Sequence, residues 1–245
     1  MREQDIRTAM MLGEDALERL HSARVAVFGI GGVGGYAVEA LARAGVGELH
    51  LVDADRVSLS NINRQIIATH KTVGQYKTEA ARDRILEIDP EIKVFTYNLF
   101  FGEDCASKFD FSAFDYVVDA IDSLSSKILL ITLCKEAGTP IISAMGAGNK
   151  LDPTKFEVAD ISKTEVCPLA RAVRIALRKK GINHLKVVYS KEKPSLASPD
   201  ADQDKCDGKT APGSISFVPS VMGLIIAGEV IKDIAKTIPK NISPN

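Results

Sequence analysis

The sequence has no long apolar run, no excess of charge of either sign and few cysteines. Its longest apolar stretch near the carboxyl terminus, Val221–Gly228, is far shorter than the ~20 residues that cross a bilayer. The residues after Met1 mix both charges, which is not typical of a secretory signal. Four cysteines in 245 residues exclude a disulfide scaffold and indicate a reducing compartment. We therefore expect a cytoplasmic protein with no membrane segment.

The charge balance also limits the partners of this chain. Its 31 Lys and Arg residues are offset by 32 Asp and Glu residues, so no chain-wide basic field attracts nucleic acid. Any RNA would have to be held by a local basic patch. Apolar residues form 45% of the chain and charged residues 26%, as in ordinary globular proteins, which argues against a disordered or fibrous chain.

Short apolar strands alternate with helices along the first 150 residues. The run Arg24–Gly29 is rich in β-branched residues and ends in glycine, which indicates a strand buried on both faces. Further strands are predicted at 48–53, 92–97, 116–119 and 140–143, and helices at 32–45, 77–88 and 127–137. This alternation predicts an α/β fold with a Rossmann-like, doubly wound, mainly parallel sheet flanked by helices.

The pattern changes after residue 150, so we predict a nucleotide-binding domain at 1–150 and a carboxyl-terminal α/β extension at 151–245, packed on the same domain. Strands are predicted at 155–161 and 185–190, a basic helix at 168–180 and a closing apolar helix at 219–234. Residues 191–213 contain three prolines among Ser, Asp and Lys, which predicts a mobile loop.

A glycine-rich turn follows the first predicted strand. Gly29, Gly31 and Gly34 fit the pattern G-x-G-x-x-G, and Gly32 adds a further glycine. Such a turn lets the backbone approach a phosphate at the beginning of a helix. Asp53 lies nineteen residues beyond Gly34, where an acid can bond ribose hydroxyls. The pattern predicts a nucleotide site but does not separate NAD from ATP.

Two basic side chains and a carboxylate favour a triphosphate. A dinucleotide seldom needs further cations here, whereas Arg64 and Lys77 would suit the β- and γ-phosphates of ATP. Asp122 follows a strand at the edge where ligands bind, and its carboxylate can hold the magnesium of Mg·ATP. Each residue has an alternative explanation: a surface ion pair for Arg64, a solvated helix face for Lys77, and a helix N-cap for Asp122.

The run from Gly29 to Asp122 resembles the adenylation domain of the ubiquitin-activating-enzyme-like superfamily, which includes enzymes that adenylate sulfur carriers. The motif Asn61-x-x-Arg64-Gln65 with Lys77 is highly specific to it. The resemblance implies that Arg64 and Lys77 hold the phosphates and that Asp122 lies beside Mg²⁺ and the attacked α-phosphate. It also implies a homodimer, in which Arg7 reaches the neighbouring subunit's ATP. The implied ATP-binding set is Gly29, Gly31, Gly32, Gly34, Asp53, Asp55, Asn61, Arg64, Gln65, Lys77, Asp122 and Ser123.

The chain departs from the sulfur-carrier enzymes because it lacks their paired Cys-x-x-Cys zinc ligands and has Ser123 where they commonly have Asn. Its later motifs resemble the branch that dehydrates threonylcarbamoyladenosine in tRNA. They are Gly146-Ala-Gly148, Leu151-Asp-Pro-Thr154, Lys163-Thr164 and Pro168-Leu-Ala170. That branch implies ATP-dependent cyclisation of the modified nucleoside through an acyl-adenylate, releasing AMP and pyrophosphate.

Three alternatives stay open at this point. The first is an enzyme that adenylates the carboxyl terminus of a ubiquitin-like sulfur carrier. The second is an NAD-dependent oxidoreductase, which rests on the glycine turn alone. The third is a non-catalytic subunit, which the presence of Arg64, Lys77 and Asp122 disfavours.

One helix concentrates positive charge. Arg171, Arg174 and Arg178 share one helix face, Lys179 and Lys180 follow, and residues 171–193 carry a net charge of +7. In a near-neutral protein this is a candidate surface for the tRNA backbone, although an ordinary solvated helix would have the same pattern. We expect recognition by charge and shape because aromatic residues are sparse here.

Cys206 lies in the predicted loop, near where superfamily members carry a reactive cysteine. A thioester intermediate would be helped by Lys205 and opposed by Asp204 and Asp207, and an inert loop thiol is the alternative. The other three cysteines are expected to pack in the core. The resemblance also allows a sulfur-relay protein as a partner.

Overall fold

The computed structural model describes residues 2–195, 205–206, 209–210 and 212–236. At its centre is a seven-stranded sheet in the order β3-β2-β1-β4-β5-β7-β6, in which only the β6–β7 pair is antiparallel. The strands are β1 (Arg24–Phe28), β2 (Glu48–Val52), β3 (Lys93–Tyr97), β4 (Tyr116–Asp119), β5 (Ile141–Ala144), β6 (Phe156–Asp160) and β7 (Lys186–Ser190). A separate antiparallel pair joins β8 (Lys205–Cys206) to β9 (Lys209–Thr210). The predicted mainly parallel, Rossmann-like sheet is confirmed.

Helices cover both faces of the sheet. They are α1 (Ile6–Leu12), α2 (Glu14–Ser22), α3 (Gly34–Arg43), α4 (Lys77–Ile88), α5 (Glu103–Ala106), α6 (Leu124–Ala137), α7 (Pro168–Lys179) and α8 (Phe217–Lys236). Leu41 of α3 and Ile226 of α8 belong to one buried apolar cluster. Ile131 of α6 and Val173 of α7 belong to the other. The apolar strands are therefore covered on both sides, as their composition predicts.

The element ends follow local chemistry. Helix α6 ends at Ala137 and is capped by Gly138, whose left-handed φ of +73° suits glycine. The same helix begins at Leu124, three residues earlier than predicted, and its N-cap is Ser123. Helix α4 has the predicted bounds, and its end before Pro90 agrees with the restriction that proline places on the preceding residue.

The chain beyond residue 150 adds β6 and β7 to the same sheet, and α8 packs against α3. The domain boundary at residue 150 stays a prediction. The predicted mobile loop at 191–213 falls mostly outside the described residues. Its two described ends both bond to one residue, Asn149, in the connection between β5 and β6. Asn149 O accepts the Ser195 N–H and Asn149 Oδ1 accepts the Gly213 N–H, both at 2.7 Å. Among the described residues no helix is long and apolar enough to cross a membrane.

Candidate active site

A cleft of about 370 Å³ opens at the carboxyl edge of the sheet, between the ends of β1 and β4. This is the topological switch point, since the chain winds outward through β2 and β3 on one side and through β5 on the other. Ten of the twelve residues predicted to bind ATP line it, and Gly34 and Ser123 do not. The ten are Gly29, Gly31, Gly32, Asp53, Asp55, Asn61, Arg64, Gln65, Lys77 and Asp122.

The glycines of the turn after β1 serve different purposes. Gly29 has a φ of +89°, and a Cβ there would lie 2.5 Å from the Ala120 carbonyl oxygen. A Cβ on Gly34 would lie 1.8 Å from the Gly29 carbonyl oxygen, so both glycines are required by packing. At Gly31 the nearest neighbour of a Cβ would be Gln65 Nε2 at 3.9 Å. The protein itself leaves room at Gly31, which is the room that a closely approaching phosphate or ribose needs.

Asp53 and Lys77 form the floor of the cleft between β2 and α4. Asp53 accepts the Ile30 N–H at 2.7 Å and the Asp55 N–H at 2.8 Å. Burial raises the pKa of the Asp53 carboxyl, and the nearby Lys77 ammonium partly opposes this. Lys77 is only 6% exposed, and its Nζ lies 2.6 Å from Asp55 Oδ2 and 4.0 Å from Asp53 Oδ1. Because the Asp55 side chain is 69% exposed, a phosphate can replace it as the partner of Lys77.

Arg64 is held by the loop that carries it. Asn61 Oδ1 accepts the Ser58 N–H at 3.1 Å and so closes a short turn of 3₁₀ helix before the arginine. Arg64 Nη1 donates to Ser60 O and to Asn63 Oδ1, both at 2.8 Å. These bonds use one of the two terminal nitrogens, so the guanidinium keeps further donors for a phosphate. In this structure Asn61 shapes the loop through its side chain.

Gln65 carries one of the two buried side-chain polar atoms that have no hydrogen-bond partner among the described residues, and the other is Arg19 Nε on α2. The residue is 7% exposed, and its Oε1 accepts no hydrogen bond from any described residue. Buried amide oxygens are nearly always satisfied, and because Gln65 lines the cleft, its oxygen is available to a donor from a ligand bound there. A ribose hydroxyl or an adenine amine is such a donor. The residues of the cleft therefore fit ATP.

Asp122 lies three residues beyond the end of β4 and lines the cleft, with its carboxylate free of any hydrogen bond or ion pair among the described residues. The N-cap explanation of Asp122 is wrong, because the N-cap of α6 is Ser123. The Ser123 side chain does not cap the helix and lies instead 3.1 Å from Ser125 Oγ. The beginning of α6 is thus uncapped by side chains at the edge of the cleft.

Several residues that line the cleft are not predicted from the sequence. Ser126, in the first turn of α6, is 3% exposed, and Phe100 after β3 is 63% exposed. Pro219, from the beginning of α8, closes the cleft from the carboxyl-terminal part of the chain. None of them belongs to a motif, and only their placement by the sheet brings them to the site.

Two predicted surface features lie outside the cleft. Arg7 is exposed on α1 and does not line the cleft of its own chain, so its action on a neighbouring subunit stays a prediction. On α7 the side chains of Arg171 and Arg178 are exposed, as are Lys179 and Lys180. Arg174 differs from the predicted solvated face. It is half-buried, and its Nη1 donates to the Thr164 side chain at 2.6 Å and carbonyl at 2.7 Å, tying α7 to the preceding loop.

The cysteines divide as expected where the structure describes them. Cys105, Cys134 and Cys167 are free and buried. Burial, together with the nearby Asp119 carboxylate, raises the pKa of Cys134 to about 12, so this thiol is unreactive. The side chain of Cys206 lies outside the described residues, and its thioester role stays a prediction.

Three comparisons place this chain among known proteins. The family model described as ThiF matches residues 4–245. The tRNA threonylcarbamoyladenosine dehydratase of Bacillus subtilis (strain 168) is 44% identical over 97% of both chains. The E. coli tRNA N6-threonylcarbamoyladenosine dehydratase, solved in complex with ATP, is 34% identical with a TM-score of 0.85, covering 95% of this chain and 94% of that one. The molybdopterin-synthase adenylyltransferase of Salmonella typhimurium (strain LT2) is 40% identical over 51% of this chain and 50% of its own.

Proposed function

The chain belongs to the ThiF family, and on that premise we propose that it is an ATP-dependent tRNA threonylcarbamoyladenosine dehydratase. The observation that carries the proposal is the extent of the similarity. The B. subtilis and E. coli proteins of this name match 97% and 95% of the chain, including most of the extension after residue 150, whereas the molybdopterin-synthase adenylyltransferase matches about half. Adenylation of a sulfur carrier is therefore the second candidate.

The cleft supports ATP as the co-substrate. Asp53 and the buried Gln65 Oε1 suit the adenosine, and the open space at Gly31 lets the backbone approach the phosphates. Lys77 and Arg64 supply positive charge that is already positioned before the reaction begins. Fixed cations of this kind stabilise the charge that develops on the phosphate during transfer.

The reaction needs no protein nucleophile. An oxygen of the threonine carboxylate attacks the α-phosphorus of ATP, the bond to the bridging oxygen breaks, and pyrophosphate leaves. The substrate's own carbamoyl group then attacks the activated carbonyl carbon, loses its proton to solvent and displaces AMP. The ring closes with the net loss of one water from the nucleoside. This second step is intramolecular, so proximity favours it.

Asp122 is the carboxylate that would hold Mg²⁺, since it faces the cleft with no partner among the described residues. The metal, when bound with ATP, would neutralise charge on the phosphates. Removal of Mg²⁺ with a chelator is expected to stop AMP formation.

A homodimer with Arg7 acting in trans belongs to the same proposal. Helix α1 exposes Met10 and Met11 by 80% and 84%, next to Ile6 at 41%. Apolar side chains clustered on one helix are typical of an interface. A second copy that covers them would bring its Arg7 toward a neighbouring chain.

The exposed part of α7 is our candidate tRNA surface. Charge reversal of Arg171 and Arg178 should weaken tRNA binding and flatten its salt dependence, because fewer counterions are released from the RNA. ATP affinity should stay unchanged. The control is the same reversal at Arg82, which forms ion pairs with acids on α4. If reversal of Arg171 and Arg178 leaves the salt dependence of tRNA binding unchanged, the RNA binds elsewhere.

The proposal has three further parts. They are Cys206 as the residue that would form a thioester if the reaction uses one, a sulfur-relay protein as a partner, and a cytoplasmic location. Replacement of Cys206 by alanine would leave the rate unchanged if the acyl-adenylate reacts directly, and would abolish turnover if a thioester intervenes. A tRNA substrate favours the cytoplasm as the site of action.

The decisive experiment offers the purified protein two acceptors with ATP. One is tRNA that carries threonylcarbamoyladenosine, and the other is a sulfur-carrier protein that ends in Gly-Gly. We expect AMP formation only with the tRNA, together with a nucleoside lighter by one water in mass spectrometry. Pyrophosphate release with the carrier alone would support the second candidate.

A further inference from the structure

A fully buried ion pair lies behind the cleft. Lys127 of α6 and Asp119, the last residue of β4, are both 0% exposed, and Lys127 Nζ lies 2.7 Å from Asp119 Oδ2. Burial of two charges costs about as much as their attraction returns, so apolar side chains of similar volume would hold the fold as well. Among the described residues no other ion pair has both side chains fully buried. The charges therefore point to a role other than stability.

The ammonium of Lys127 donates three hydrogen bonds, to acceptors on β4 and β5. Besides Asp119 it donates to Ser143 Oγ at 3.2 Å and to Ala144 O at 3.0 Å. Ser143 Oγ in turn donates to Asp119 Oδ2 at 2.5 Å. The ends of β4 and β5 and the first turns of α6 are thus joined by one network. A fully satisfied buried network of this kind holds its members in a single arrangement.

The network reaches Asp122 through the backbone. Because Lys127 and Ser143 hold Oδ2 of Asp119, its Oδ1 faces the turn that follows β4 and accepts the Ile121 N–H at 3.1 Å. Asp122 is the next residue, and its own carboxylate has no partner among the described residues. The Asp119 carboxylate thus holds the backbone one residue before Asp122, in a turn that the Ala120 N–H also ties to Phe28 O at 2.8 Å.

We propose that Lys127, acting through Asp119, is the positioning residue that aims the Asp122 carboxylate into the cleft. This inference rests on the proposed function, in which Asp122 serves the magnesium-bound phosphates. Lys127 touches neither substrate, so it is not a catalytic residue. A displacement of about 1 Å at a reacting group can reduce a rate about 100-fold, which is the size of effect that such positioning can have.

The test is a double-mutant cycle between the ion pair and Asp122. Asp119→Asn combined with Lys127→Met removes both charges at nearly constant volume, so no unpaired charge stays buried. Asp122→Asn forms the other corner, and the triple variant completes the cycle. We expect the neutralised pair to lower kcat for AMP formation about 100-fold in the wild-type background and to change it little in the Asp122→Asn background. Lys135→Met, on the exposed side of α6, is the matched control and should leave kcat unchanged.

A second readout needs no catalysis. Hydrogen exchange of the Ile121 amide should be faster in the neutralised pair than in wild type, because its acceptor is no longer held. Should the double variant fail to fold, Ser143→Ala removes a single donor to Asp119 and should show the same pattern at smaller size. The inference is wrong if the losses of kcat from the neutralised pair and from Asp122→Asn multiply in the triple variant. It is also wrong if hydrogen exchange of the Ile121 amide is unchanged in the neutralised pair. Absence of AMP formation by the wild-type protein would instead refute the proposed function, and the exchange experiment would still decide this inference.

Discussion

Lys77 and Lys186 have similar surroundings at opposite edges of the sheet. Each ammonium lies between two carboxylates: Lys77 between Asp53 and Asp55 at the carboxyl edge, and Lys186 between Glu229 and Asp233 at the amino edge. Both clusters join a residue at the end of a strand to a helix or loop. Pairing of charges alone therefore does not distinguish a binding site from a structural contact.

The two clusters differ in what surrounds the carboxylates. At the amino edge Lys186 Nζ lies 2.7 Å from Glu229 and 2.8 Å from Asp233, and Tyr116 Oη donates to Asp233 at 2.8 Å. These bonds connect β4 and β7 to α8, so the polar groups hold one element of the fold against another. At the carboxyl edge the same kind of cluster lines a cleft that also contains an unsatisfied amide oxygen on Gln65. The polar groups at the amino edge bond to one another across the fold, whereas those at the carboxyl edge line an open cleft, which is why we propose a ligand there.

Lys77→Ala should have the largest effect. We expect AMP formation to fall by at least about 100-fold, as when one preorganised donor to a transition-state charge is removed, while the protein still folds. Steady-state AMP production and circular dichroism measure the two quantities. The control is Lys186→Met, which should keep its activity. If Lys77→Ala forms AMP at a rate within tenfold of wild type, the lysine at the carboxyl edge does not serve the reaction and the two edges do not differ in function.

Gly31→Ala should weaken ATP binding about tenfold without lowering Tm, since a Cβ there meets no protein atom within 3.8 Å and occupies ligand space. Titration calorimetry with ATP measures the affinity. Gly29→Ala is the matched control, because its Cβ would collide with the Ala120 carbonyl and should destabilise the fold. Equal ATP affinity in Gly31→Ala and wild type would contradict the assignment of this space to a nucleotide.

Lys186→Met should have the smallest effect, a Tm lower by about 3 °C at neutral pH. The acids on α8 raise the pKa of Lys186 from its ordinary 10.5, so its contribution is lost as pH rises through that raised value. Lys186 and Lys232 lower the pKa of Glu229 from its ordinary 4.5, so that contribution is lost as pH falls through the lowered value. The difference in Tm between wild type and variant should be largest near neutral pH and shrink at both extremes. A difference independent of pH would mean that the lysine acts through packing alone.

Much of the cleft could be predicted because its residues follow strand ends. Gly29, Asp53 and Asp122 each come within three residues of the end of a parallel strand, and parallel strands end at one edge. The charge that a triphosphate requires predicts Arg64 and Lys77. Ser126 and Phe100 could not be found in this way, since neither spacing nor charge marks them before the sheet places them in the cleft.

Side-chain partners were harder to predict than elements. Helix spacing places Arg174 on the face of Arg171, yet its guanidinium bonds to Thr164 in the preceding loop. The helix pattern likewise offers Asp122 as an N-cap, but the turn after β4 makes Ser123 the N-cap. In both residues the side chain's role depends on a bend of the backbone that periodicity does not describe.

From the sequence alone, the alternation of strands and helices, the glycine turn and the charges around it are determined, because these depend on neighbours a few residues away. The burial of Lys127 between Asp119 and Ser143, and the unsatisfied oxygen of Gln65, come only from the tertiary structure. They arise because packing joins residues distant in the chain and removes water from between them, and only then does a charge or an amide depend on its partner.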